Sequence, residues 1–235
     1  MEIEGSSLSP WQIKVQITPE IATDAFETIN LVDNEVSFKE LLSEIYSEQD
    51  FQNKTFLNCG CDCGAYCFWA RSVGFKWCFG FDIKEQLIKQ AEWLKENITT
   101  GPTDFIQFKK MDLYELKRMG LPQFDLTLFN GLFCHLPHPI LGLQIAADAT
   151  KDVLIVNTKT RPDAPKNCFM IREEEHLAFI PSGPDSIISI LKRMGFVRFK
   201  VSCSETIKSD LGRTQVIAYR RPERIIFKQN KKVKI

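Results

Sequence analysis

From Thr55 to Arg220 short apolar runs alternate with amphipathic stretches, and this rhythm restricts the fold more than any single motif. Thr55–Cys59 reads as a strand and Ala65–Val73 as a helix. "KWCFGF" (Lys76–Phe81) is a second strand. Ile83, Leu87, Ile88, Ala91, Leu94 and Ile98, three or four apart, then form one apolar helical face. "DFIQFKK", "FDLTLFN" and "DVLIVNT" supply further strands. Pro139 opens a helix running to about Thr150, and Pro184 opens another that Gly195 closes. "FVRFKVS" and "TQVIAYR" have no room for a helix between them and are expected to pair antiparallel. The expected fold is α/β: a Rossmann-like sheet, mostly parallel, with an antiparallel edge and helices on both faces.

Before Phe51 the pattern differs. "VSFKELLSEIY" reads as a capped helix, with Ser37 and Glu40 as the capping box and Val36 against Leu41 as the staple. Residues 1–50 are expected to form an appendage or lid over the sheet's carboxyl edge, residues 51–220 the ligand-binding domain, and 221–235 a basic tail. From Arg220 onward seven basic residues face one acid, so this end carries +6 and the body −6. Such a tail suits either a solvated terminus or contact with RNA or a membrane surface. No apolar run is long enough to span a membrane, and the N-terminus lacks the marks of a secretory signal. The eight cysteines are therefore read as reduced thiols of a cytoplasmic protein.

Four of those cysteines crowd into "FLNCGCDCGAYCFWA" (Phe56–Ala70). Their C-x-C-x-C-x3-C spacing fits neither the paired knuckles of a structural zinc site nor a radical iron–sulfur motif, so no metal is expected. The glycines say more. Gly60 and Gly64 fall between the first strand and the first helix, where an open α/β sheet binds its ligand. Asp82 ends the second strand, 18 residues after Gly64, placed to accept hydrogen bonds from ribose hydroxyls. Dinucleotide oxidoreductases share that much. Tyr66 and Cys67, however, stand where a pyrophosphate loop would carry its third glycine, and Asp112 in "KKMDLYEL" adds a polar anchor after the third strand.

"FLNCGCDCGAYCFWARSVGFKWCFGFDI", "KKMDLY" and "FDLTLFNGLFCHLPHPILGL" together resemble the successive motifs of class I S-adenosylmethionine-dependent methyltransferases. "LFCHLPHPILGL" is similar to the branch that includes tRNA wobble-uridine modifying methyltransferases. The resemblance runs from about Phe51 to Tyr219 and implies S-adenosyl-L-methionine as cofactor. It would place Asn58, Gly60, Asp62 and Gly64 along the methionine portion, Asp82 at the ribose, and Asp112 and Leu113 at the adenine, with Ile83 also binding the cofactor. Asn130 and Gly131 would face the transferred methyl, with His135 as the base and His138 following it. Asn58 stands where the family usually has an acid, and Asp62 where it has a glycine. Trp11 and Trp69 are lid or core aromatics, with core preferred for Trp69.

The implied activity is methyl transfer to a small metabolite or sugar-type acceptor by a monomer or homodimer. Methylation of tRNA uridine and a non-catalytic methyltransferase-like binding protein are the alternatives. A carboxylated cosubstrate would call for a basic residue aimed at the methyl position, and none is evident in the sequence.

Overall fold

The structure, a computed structural model, describes Leu8, Trp11 and residues 14–23, 35–165, 168–172, 178–204 and 211–222. After α1 (Glu35–Ile45) and the single turn α2 (Glu48–Phe51), five strands and three α-helices follow. They comprise β1 (Thr55–Cys59), α3 (Ala65–Ser72), β2 (Trp77–Asp82), α4 (Glu85–Asn97), β3 (Ile106–Lys110), β4 (Phe124–Asn130), α5 (Pro139–Asp148) and β5 (Thr150–Thr160). Short 3-10 segments occupy Leu113–Met119 and Phe133–His135. The hairpin β6 (Phe169–Arg172) and β7 (Ala178–Pro181) precedes α6 (Pro184–Arg193), and β8 (Arg198–Ser204) and β9 (Gly212–Tyr219) close the chain.

Seven strands make one sheet in the order β3-β2-β1-β4-β5-β9-β8. The first five are parallel. The expected antiparallel end is present: β9 lies between β5 and β8 and runs against both. Strand residues alternate between two cores. Phe56, Leu126, Leu128, Val153, Ile155 and Ile217 pack under α1 and α3. Leu57, Phe79, Phe129, Leu154, Val156 and Val216 pack under α5 and α6. Burial on both faces is why these strands read as unbroken apolar runs.

Three expectations need correction. The described part of 1–50 is no separate appendage over the carboxyl edge: Trp11, Val15, Phe38, Leu42 and Tyr46 share one core with the sheet, and α1 lies on the sheet's face beside α3. Phe38 meets Tyr66 edge-on at 4.9 Å, while Trp11 packs against Trp93 and Trp69 is buried. Ser37 is the third residue of α1 and not the residue before it, so the expected capping box does not fall at the helix start. Arg220, counted above with the basic end, is anchored in the folded domain. Its guanidinium donates to the carbonyls of Ala147, Thr150 and Met194 at 2.6–2.9 Å and lies 4.5 Å from the Phe196 ring. Of the tail expected over 221–235, residues from Glu223 onward lie outside the described residues. The β6–β7 hairpin was not anticipated. No described helix is long and apolar enough to cross a membrane.

Candidate active site

Strand order reverses between β1 and β4, and the carboxyl ends of these two strands open the crevice where α/β sheets receive ligands. A glycine follows each strand. Gly60 and Gly131 adopt φ of 65° and 70°, a left-handed turn that costs other residues energy. The turns touch: a Cβ on Gly60 would stand 2.6 Å from Leu132, whereas one on Gly131 would meet nothing within 4 Å. The loop after β1 is pinned to β2 where the Cys61 N–H donates to the Phe81 carbonyl at 2.8 Å. Gly64 (φ 84°) begins α3, and a Cβ there would lie 2.4 Å from the Phe108 ring.

Asp82 ends β2 almost buried. Its Oδ2 accepts the Asp62 N–H at 3.2 Å and its Oδ1 the Lys84 N–H at 2.9 Å. Each oxygen keeps a lone pair for a further donor. Asp62 holds a left-handed φ of 53°, which Asp tolerates better than most residues. Its carboxylate accepts the Cys63 N–H at 2.5 Å. Burial pushes the Asp62 carboxyl up from its ordinary value; the Cys63 N–H opposes this, and the charge of Asp82 reinforces it. Ile83, beside Asp82, leaves its apolar side chain 61% exposed at the crevice.

Asp112 caps the Leu113–Met119 segment by accepting the Tyr114 N–H at 3.0 Å, and Glu115 completes the capping box. Leu113 is buried in the second core. Tyr114 in turn fixes His138, donating its hydroxyl to the His138 carbonyl at 3.2 Å and accepting the His138 N–H at 3.1 Å. His138 is therefore held through its backbone. His135 ends the Phe133–His135 segment with an exposed side chain.

Asn130, the last residue of β4, donates its amide N–H to the Tyr66 hydroxyl at 3.0 Å. Its Oδ1 is buried without a partner. Asn58 is wholly enclosed; neither amide atom finds a nitrogen or oxygen partner, and the Cys67 thiol lies beside it. Cys59, Cys61, Cys63 and Cys67 are buried thiols, the charged form of each opposed chiefly by burial. No three metal-ligating side chains converge among the described residues.

Gly60, Asp62, Gly64, Asp82 and Ile83 thus meet at one end of the crevice, with Asn130 and Gly131 across the switch point. Tyr66 was the residue that sequence reasoning missed. Its signal was its position, in the first turn of the helix that faces the end of β4.

No protein-family model matches the chain, and no curated protein matches it. Solved structures do. The N-terminal domain of EvdMO1, determined in the presence of S-adenosylhomocysteine and D-fucose, aligns with a TM-score of 0.71 at 18% identity, covering 92% of this chain and 94% of that one. Magnesium protoporphyrin IX methyltransferase (ChlM) from Synechocystis PCC 6803 with bound S-adenosylmethionine aligns at 0.59 and 16% identity, covering 84% and 87%. The [4+2]-cyclase SpnF aligns at 0.59 and 12% identity, covering 80% and 83%. At such identities the likeness establishes the fold, and the cyclase among them means that the fold alone does not fix the chemistry.

Proposed function

We propose that the chain is an S-adenosylmethionine-dependent methyltransferase acting on a small polar acceptor. The observation that carries this reading is the Asp82 carboxylate. It is tied by both oxygens to the backbone of the glycine turn and its own loop, and each oxygen retains one lone pair. A ribose diol needs such an arrangement. The neighbouring groups suit the rest of the ligand: exposed Ile83 for an adenine face and the second Asp112 oxygen for its amino edge.

When bound, the cofactor supplies an electrophilic methyl on its sulfonium. The protein's part is to orient and exclude. Gly131 leaves open space at the end of β4, and Asn130, held by Tyr66, presents a buried carbonyl oxygen that can accept a hydrogen bond from the acceptor. Orienting an acceptor in line accounts for much of such catalysis. His135 is proposed to take the acceptor's proton, as the titratable side chain of the Asn130–Pro137 loop suited to neutral pH.

Calorimetric titration with S-adenosylhomocysteine, followed by methyl release with a panel of small acceptors, tests the reading. Binding without turnover on any acceptor class, RNA included, would make the chain a non-catalytic binder; no binding would refute the cofactor assignment.

A further inference from the structure

We infer that Lys159 and Arg213 form an anion-binding subsite of the acceptor pocket, so that the acceptor is a small hydroxylated molecule bearing a phosphate or carboxylate. This rests on the methyltransferase reading above and adds the substrate class.

Lys159 on β5 stands directly opposite Arg213 on β9 in an antiparallel ladder. Like charges in that relationship destabilise a sheet. Nearby charges are paired elsewhere: Arg161 with Asp163, Lys200 with Glu44, Arg221 with Asp152. Neither Lys159 nor Arg213 has a carboxylate partner among the described residues. Two cations facing each other without an acid form a ready receptor for a compact anion.

Their place ties them to the site. Asn130, Asn157 and Gln215 occupy one row across β4, β5 and β9, through the partnered positions Asn130–Asn157 and Asn157–Gln215. Side chains two residues apart share a face, so Lys159 and Arg213 continue this face about 7 Å further toward the carboxyl edge. The loop carrying Gly131 is bonded to the same strand, with the Gly131 N–H donating to the Asn157 carbonyl at 2.8 Å. Cys134 in that loop lies in the field of both cations: burial lifts its thiol, and Lys159 and Arg213 each draw it back down.

The row itself is unfinished. Asn157 and Gln215 are 0% and 4% exposed, yet both Asn157 amide atoms, the Gln215 Oε1 and the Asn130 Oδ1 have no hydrogen-bond partner. Neutral amides that can both donate and accept match hydroxyl groups, not a second charge. The row therefore changes, toward the carboxyl edge, from neutral amides to a pair of cations.

The test uses the full chain saturated with S-adenosylhomocysteine and titrated with glucose 6-phosphate, citrate and glucose. Saturable binding of glucose 6-phosphate or citrate, with glucose far weaker, is expected; the preferred anion separates phosphate from carboxylate. Lys159→Gln/Arg213→Gln should weaken the bound anion about tenfold or more while leaving S-adenosylhomocysteine affinity unchanged. Lys159→Glu should abolish anion binding without lowering the melting temperature, because it turns repulsion into attraction. Equal anion binding by wild type and the double variant, or no binding of either anion, overturns the proposal. So does salt-sensitive RNA binding lost in the double variant, which would make the pair a nucleic-acid contact. If S-adenosylhomocysteine itself fails to bind, the cofactor reading fails separately, and the same titrations on the unliganded chain still decide the subsite.

Discussion

The Asn130 amide and the Tyr66 hydroxyl, 3.0 Å apart, join the end of β4 to the first turn of α3 across the sheet's switch point. The bond leaves the Asn130 carbonyl oxygen, buried and unpartnered, as an acceptor at the place proposed for methyl transfer. Tyr66→Phe should keep the fold and the cofactor affinity while releasing this amide. The expected result is a loss in kcat larger than any change in KM, read from steady-state rates once an acceptor is known. Equal activity would detach Tyr66 from the site.

Asp82→Ala should reduce S-adenosylhomocysteine affinity roughly 10- to 100-fold, corresponding to about 1.5–3 kcal/mol for lost hydrogen bonds to a charged group. The Asp62 and Lys84 N–H groups also lose their acceptor, so the glycine turn should exchange its amide hydrogens faster even without ligand. Unchanged calorimetric affinity in a folded variant would show that Asp82 is not the ribose anchor.

Asp62→Asn should stabilise the unliganded protein near neutral pH. The Asp62 carboxyl is raised in the fold, by burial first and by Asp82 as well, so its ionised form costs stability. That cost is fully present above the folded value and vanishes below the ordinary value of 3.8, where folded and unfolded states are both protonated. The melting-temperature advantage of the variant should therefore fade on acidification. A second readout concerns the ligand: if Asp62 pairs with the sulfonium, the variant should weaken S-adenosylmethionine relative to S-adenosylhomocysteine. We expect the ratio to hold, with Asp62 acting as the strained occupant of a glycine position.

Gly64→Ala should cost about 2–4 kcal/mol, combining a left-handed φ with overlap on the Phe108 ring. Adding Phe108→Leu should recover the overlap portion and leave the backbone portion. Thermal unfolding of the two variants separates them, and an unaffected single variant would mean that the loop can move aside.

How much of this could be read from the sequence depended on how local the cause was. The strand–helix order was legible because strands buried on both faces become apolar runs and amphipathic helices carry their own period. Asp82 and the glycine turn were legible because a positive φ and a strand-end acid leave marks at fixed spacing. Ser37 misled because an S-x-x-E pattern inside a helix looks like one at its start. The β6–β7 strands, four residues each, were too short to show alternation. Tyr66 and the Asn157–Gln215 row owe their neighbours to the tertiary fold, and nothing adjacent in sequence announces them.

Arg220 makes the same point with a measurable consequence. Arg220→Met keeps the contact with Phe196 but strips a donor from the Ala147, Thr150 and Met194 carbonyls. A loss of about 2–3 kcal/mol is expected, a melting-temperature drop of roughly 5–10 °C. Deleting residues from Glu223 onward should leave the melting temperature and small-acceptor turnover unchanged. The reverse pattern would return Arg220 to the tail.

Thiol labelling probes the crowded cysteines. Cys59, Cys61, Cys63, Cys67, Cys78 and Cys134 are buried, while Cys203 is exposed and Cys168 half-buried. Two thiols should react quickly with a disulfide reagent and the rest only on unfolding, since both access and thiolate fraction are low. Elemental analysis should find no stoichiometric zinc or iron. One metal per chain, lost when Cys61 and Cys63 become Ser, would overturn the thiol assignment.

The insertion of β9 between β5 and β8 has a consequence for how the protein is made. β9 follows β8 in the chain yet lies inside the sheet, so the eleven-residue β5 waits with one edge bare until residues 212–219 have emerged. Such an edge is a template for unwanted pairing, which leaves the nascent chain vulnerable until β9 pairs with it. A chain stopped after Ser204 has no β9 and keeps that gap permanently. Supplied in trans, a peptide of residues 211–222 would bring both the missing strand and the Arg220 clamp, so split halves should complement each other.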